Sequence, residues 1–136
     1  MRILQPHGWP RPRGYSNGIE AEGRFVFVAG QIGWDETGKV VSGKFADQLR
    51  QALANTLAVM READAAPEHV TRMTWFITSR EDYEASLPEL GAIWKQAMGP
   101  NYPAMSVIIV SGLVERDAKI EIETTAVVPH PEHRHR

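Results

Sequence analysis

Asn101-Tyr102-Pro103-Ala104-Met105-Ser106-Val107-Ile108-Ile109-Val110, followed after a short link by Lys119-Ile120-Glu121-Ile122-Glu123-Thr124-Thr125, is the stretch whose reading decides the fold. It reads as two strands around one connection. The second strand alternates, with Ile120, Ile122 and Thr124 on one face and Glu121, Glu123 and Thr125 on the other, because successive strand side chains point to opposite sides. Two carboxylates therefore share a face. The first strand, Val107 to Val110, is apolar on both faces and calls for burial on two sides.

Outward from this stretch the pattern switches between periods of two and 3.6. The strand Arg24-Phe25-Val26-Phe27-Val28-Ala29 is again apolar on both faces. Tyr15 to Glu22 leads into it through Gly23, which predicts a β-hairpin. Gly30-Gln31-Ile32-Gly33-Trp34 ends the strand, and Asp35-Glu36-Thr37-Gly38-Lys39 is turn chemistry. Phe45, Leu49, Leu53, Leu57 and Met60 recur at helical spacing. That helix should stop near Asp64, since Asp tolerates a left-handed backbone and Pro67 follows.

Val70 to Thr78 fits a strand whose centre is β-branched and aromatic. Ser79-Arg80-Glu81-Asp82 has the chemistry of a helix N-terminus. The helix it opens carries Tyr83, Leu87, Leu90, Trp94 and Ala97 or Met98, with Pro88 predicted to kink or restart it. The order strand, strand, helix, strand, helix, strand, strand implies an α+β fold, a mixed sheet with both helices on one face.

A length of 136 residues fits one domain, with residues 1–14 an irregular arm carrying at most a short strand at Arg2 to Gln5, and residues 129–136 a flexible tail. Lys+Arg 15 against Asp+Glu 17 gives a net charge of -2, which offers no general attraction to phosphate backbones or anionic lipid. Nucleic acid and membrane are therefore not expected partners. Cysteine is absent, removing disulfides, thiolate metal sites and a cysteine nucleophile. Met1 to Pro12 has no apolar core of signal-peptide type, so the expected location is cytoplasmic. Three histidines in the tail, His130, His133 and His135, raise a metal site, but a Pro-flanked terminus offers no rigid ligand geometry. No metal or cofactor is expected. Nor is there a Gly-x-Ser-x-Gly elbow, a phosphate loop, a dinucleotide fingerprint or a His-Glu-x-x-His helix.

Taken in order, Tyr15 after a glycine, the strand ending Ala29-Gly30-Gln31-Ile32, the helix segment around Gln48, Leu53 and Asn55, Tyr102-Pro103-Ala104 and Ile120-Glu121-Ile122-Glu123 resemble the RidA/YjgF (L-PSP) family from Gly14 to Val128. The resemblance implies a chorismate-mutase-like fold, a homotrimer around a central barrel, and clefts between subunits that bind a small molecule. It further implies cofactor-independent hydrolysis of imines or enamines. Position by position, Glu121 matches the family's water-orienting acid, Tyr15 its cleft tyrosine and Gly30 its backbone contact to substrate. Met105 stands where the family carries a carboxylate-anchoring arginine, and Leu87 where some members carry a cleft asparagine. A thioether does not replace a bidentate guanidinium. Met105, Tyr102 and Trp34 are therefore read as a cleft for a flatter, more apolar molecule, with Arg13, Arg24 and Arg72 as candidate substitute anchors. A noncatalytic small-molecule binder is the alternative; RNA cleavage or translation inhibition, attached to some family members, is disfavoured by the charge balance.

Overall fold

The computed structural model describes residues 1–131; the histidine-rich end that raised a metal site lies, apart from His130, outside them. Its elements are β1 (Arg2–Leu4), β2 (Gly18–Glu20), β3 (Arg24–Ile32), α1 (Phe45–Arg61), a 3₁₀ turn (Pro67–His69), β4 (Val70–Ile77), α2 (Arg80–Met98), β5 (Ala104–Ile109) and β6 (Ile120–Val128). A four-stranded mixed sheet has the order β3-β6-β4-β5, with β4 and β5 parallel and the other pairs antiparallel. Both helices cover one face of it, as the sequence predicts.

The core forms where the helical and strand periodicities meet. Leu49, Ala52, Leu53 and Met60 of α1 and Ile93, Trp94 and Met98 of α2 pack against Met73, Trp75 and Ile77 of β4 and Ile120, Ile122 and Ala126 of β6. All are nearly or wholly removed from water, and such burial contributes on the order of 1.5–3 kcal/mol per large side chain. Asp64 closes α1 with φ 56°, the left-handed conformation expected of it. Ser79 caps α2, its hydroxyl accepting from the Asp82 N–H at 3.1 Å.

Two local expectations are corrected. β2 does not form a hairpin with β3 but pairs with β1 in a separate two-stranded ribbon. The chain at Gly23 is pressed against β6: a Cβ there would lie 2.1 Å from the Val128 carbonyl oxygen, and its φ of 148° suits only glycine. β3 therefore passes directly into register with β6, from Arg24 opposite Val128 to Ile32 opposite Glu121. The second concerns a restart at Pro88: α2 runs unbroken from Arg80 to Met98 with the proline inside it. The proline sits on the exposed side, and Glu84, whose carbonyl loses its donor, is also exposed, so water satisfies the oxygen.

Among the described residues the other face of the sheet keeps large apolar side chains exposed. Phe25 and Phe27 of β3 are 59% and 74% exposed, and Ile108 of β5, at the other edge of the sheet, is exposed too. Among the described residues no helix is long and apolar enough to cross a membrane.

Candidate functional site

The strand register separates the residues that the sequence singles out. Met105 lies opposite Met73, and Met73 opposite Thr124; Ile108 lies opposite Phe76, and Phe76 opposite Glu121. These two rows are three residues apart along the strands, an odd number, so they face opposite sides of the sheet. Met105 belongs to the face covered by the helices, and Glu121 to the open face. Within one chain they do not meet.

On the helix side a cavity of about 450 Å³ lies between α2 and the β5 edge. Tyr15, Tyr102 and Met105 line it, together with Trp75, Trp94, Leu87 and Arg13. Its wall is aromatic: Trp94 stacks on Tyr102 with ring centroids 6.0 Å apart and planes at 15°, and Trp75 leans against Trp94 at 6.1 Å. The Trp94 indole is pinned by donating to the Asn101 carbonyl at 3.1 Å. The Trp75 Nε1–H, in a residue only 1% exposed, has no acceptor. The loop from Arg13 is fastened to the same place, since the Ser16 N–H donates to the Pro103 carbonyl at 2.9 Å and the Ser16 hydroxyl to the Tyr102 carbonyl. Among the described residues no carboxylate and no histidine lines the cavity.

On the open face, Glu121 is half-buried and packed on Gly30. A Cβ at Gly30 would lie 2.1 Å from Glu121 Oε2, so glycine is required for the carboxylate to sit there. Next to it β3 carries one extra residue, with Val28 opposite Thr124 but Gln31 opposite Ile122. This bulge takes the backbone of Ala29 and Gly30 out of the regular ladder and frees it for other partners. Gln31 Nε2 reaches back to the Ala29 carbonyl at 3.2 Å. Glu123 shares the face of Glu121 but is exposed.

Buried Gln48 fixes the start of β6. Its Nε2 donates to the Ser42 and Asp117 carbonyls at 2.8 and 3.0 Å, and its Oε1 accepts from the Lys119 N–H at 2.7 Å.

Trp34 joins neither group. It bridges to Val40 across the turn after β3, its carbonyl accepting from Asn55 Nδ2 at 2.9 Å, and it does not line the cavity. Asp35 builds that turn: its carboxyl is held below the usual range by the hydrogen bond from the Thr37 hydroxyl and by those from the Lys39 and Thr37 backbone N–H groups. Trp75, Trp94 and Tyr83 of the cavity wall were legible only as core positions. The signal for a cavity was Gly91, a small residue inside the apolar stripe of α2. Among the described residues no group of three or more His, Asp or Glu is placed to hold a metal.

Comparison with known proteins agrees with this architecture. The family model described as endoribonuclease L-PSP matches residues 10–128. A RutC family protein of Pyrococcus horikoshii is 35% identical over 119 residues, covering 86% of this chain and 90% of the relative. The 2-iminobutanoate/2-iminopropanoate deaminase of Dermatophagoides farinae is 30% identical over 129 residues, covering 93% and 96%. The crystal structure of the Rid family protein YyfB from Yersinia pestis superposes with a TM-score of 0.79 at 32% identity, covering 93% of this chain and 98% of that one. With a mixed four-stranded sheet, two helices on one face and a match along nearly its whole length, the chain belongs to the endoribonuclease L-PSP family, that of the RidA/YjgF proteins.

Proposed function

We propose that the protein is a cofactor-independent imine or enamine deaminase that works as a homotrimer, its clefts formed where the cavity of one copy meets the Glu121 face of the next. The observation that carries this reading is the separation just described. Among the described residues the cavity is lined by aromatic rings and a methionine but no acid, whereas the acid stands on the opposite face of the sheet, the face that also exposes Phe25 and Phe27. A second copy would supply what each half lacks and would bury Phe25 and Phe27. The deaminase relative supports the choice of reaction.

The chemistry asks little of the protein. Water adds its oxygen to the imine carbon while the Glu121 carboxylate takes one of its protons. The C=N π electrons pass to nitrogen, which takes a proton from solvent, giving a carbinolamine. Collapse of that intermediate moves the Glu121 proton to the leaving nitrogen, breaks the C–N bond to release ammonia, and forms the carbonyl as the hydroxyl proton passes to solvent. An enamine reaches the same path once it is protonated on carbon. The bulged backbone at Ala29 and Gly30 offers hydrogen-bonding groups for water or substrate, and Tyr15 and Tyr102 form the wall across the cleft.

Glu121→Gln tests the reading. Ammonia release from imines generated in situ should fall at least a hundredfold, the usual contribution of a positioned general base, with far-UV circular dichroism and the trimer mass by light scattering unchanged. Turnover equal to the parent protein would sink the assignment of the acid, and a stable monomer at micromolar concentration would sink the shared cleft. Met105 favours one second reading, a noncatalytic binder in the same cleft. It would show a ligand-dependent rise in melting temperature with no turnover. Although the family description names an endoribonuclease, a net charge of -2 and a small aromatic cavity support a small molecule rather than RNA.

A further inference from the structure

The cavity reads as the substrate half of the cleft, yet its floor carries Met105 and no cation. Three arginines were candidates to replace the missing charge. Arg24 is committed elsewhere, its Nη2 donating to the Ala63 carbonyl at 3.0 Å. Arg72 lies in β4 on the row of Ala104 and Thr125, away from the cavity wall. Arg13 alone of the three lines the cavity; it is exposed and forms no salt bridge among the described residues.

We infer that Arg13 is the carboxylate anchor of this protein, and that the molecule it holds is a 2-imino or 2-enamino acid with a bulky planar side chain, laid against Trp94 and Tyr102. This rests on the reading of the cavity as a substrate site and adds to it the class of substrate. The charge stands at the rim and the apolar surface inside, so the ligand needs the matching polarity, an anionic end and a flat apolar body. Flatness follows from the rings, because a planar group gains most by stacking on the nearly parallel Trp94 and Tyr102. Met105 gives the body a polarizable, adaptable contact where an arginine would have held a charge. A volume of about 450 Å³ exceeds what a two- or three-carbon acid fills and lies within the range of sites for larger small molecules.

Three stable ketones separate the two requirements by replacing C=NH with C=O. Phenylpyruvate has both the charge and the ring, pyruvate the charge alone, and 1-phenyl-2-propanone the ring alone. Titration calorimetry on the full chain should rank phenylpyruvate tighter than either of the others by on the order of tenfold. Arg13→Gln should bring phenylpyruvate down to the level of 1-phenyl-2-propanone and leave the latter unchanged. Arg13→Gln combined with Met105→Arg should recover the carboxylate preference, since both positions line the same cavity. Three results would each overturn the inference: phenylpyruvate binding that ignores Arg13→Gln, pyruvate binding as tight as phenylpyruvate, or no binding of any probe. Ammonia release measured alongside keeps the two readings apart. The predicted binding pattern without turnover leaves the anchor standing and removes the deaminase, while turnover with Arg13-independent binding does the reverse.

Discussion

The cavity beside Trp94 and the carboxylate beside Gly30 are built in opposite ways. The first is a space enclosed by rings, with its hydrogen-bonding groups either pinned, as in Trp94, or unanswered, as in Trp75. The second is a close contact with no space in it, a carboxylate seated on a glycine where a bulge has loosened the ladder. On the proposed reading one half holds a molecule and the other activates water, and the contact between copies completes the site.

The largest effect should come from mixing two inactive variants. Glu121→Gln removes the acid, and Met105→Trp fills the cavity; each alone should lower ammonia release by about a hundredfold or more. Co-expressed so that subunits mix at random, they should recover about a quarter of the parent activity, because that share of clefts draws an intact half from each neighbour. Activity that stays at background in verified mixed trimers would break the comparison, since it would place both halves in one chain's site.

Gly30→Ala sharpens the same contrast with a smaller effect. The added methyl would meet Oε2, Cδ and Cγ of Glu121 at 2.1, 2.7 and 2.8 Å, and the side chain must swing aside. Displacing a reacting group by about 1 Å can cost on the order of a hundredfold, and a flexible glutamate recovers part of that. A fall in kcat of roughly ten- to fiftyfold is expected, with phenylpyruvate affinity unchanged because the cavity is built elsewhere. A matching loss of affinity would show that Gly30 touches the bound molecule.

Much of the fold was legible because the hydrophobic pattern changes sharply, from a continuous apolar run in Phe25 to Ala29 to a period of 3.6 from Phe45 onward, and because Asp64 and Ser79 mark helix ends by local chemistry. The candidate site was legible as a set of residues but not as two places. Whether Met105 and Glu121 share a face depends on the register of β5 on β4 and of β4 on β6, and a shift of one residue in either would reverse the answer. Nothing local to Tyr102-Pro103-Ala104 or Ile120-Glu121-Ile122 sets those registers. The same non-local cause explains the predicted β2–β3 hairpin: Gly23 reads as a turn, yet its function is to let the chain pass close to Val128. Trp34 reads as a cleft residue because it is an aromatic after a strand glycine; within one chain its backbone is held in a turn by Asn55 and Val40, outside the cavity.

The two halves also differ in how they are fastened, which yields the smallest and most local test. Gln48 ties the start of β6, and with it Glu121, through three hydrogen bonds from a fully buried side chain. Ser16 ties the Arg13 loop to the Tyr102 carbonyl through its hydroxyl and to the Pro103 carbonyl through its backbone N–H. Gln48→Leu would take the side-chain partner from the Lys119 N–H and from the Ser42 and Asp117 carbonyls at a partly buried place, at a cost of about 2 kcal/mol. Ser16→Ala removes a single hydroxyl donor while the backbone bond to Pro103 remains, so about 1 kcal/mol is expected. Urea denaturation should give that order of stability. The more telling comparison is functional: at a temperature where both variants stay folded, Gln48→Leu should lower kcat by loosening the acid, and Ser16→Ala should weaken phenylpyruvate binding by loosening the anchor loop. If each lowered both quantities equally, the fastenings would be acting on a common scaffold, and the division into an acid half and a binding half would be one of geometry alone.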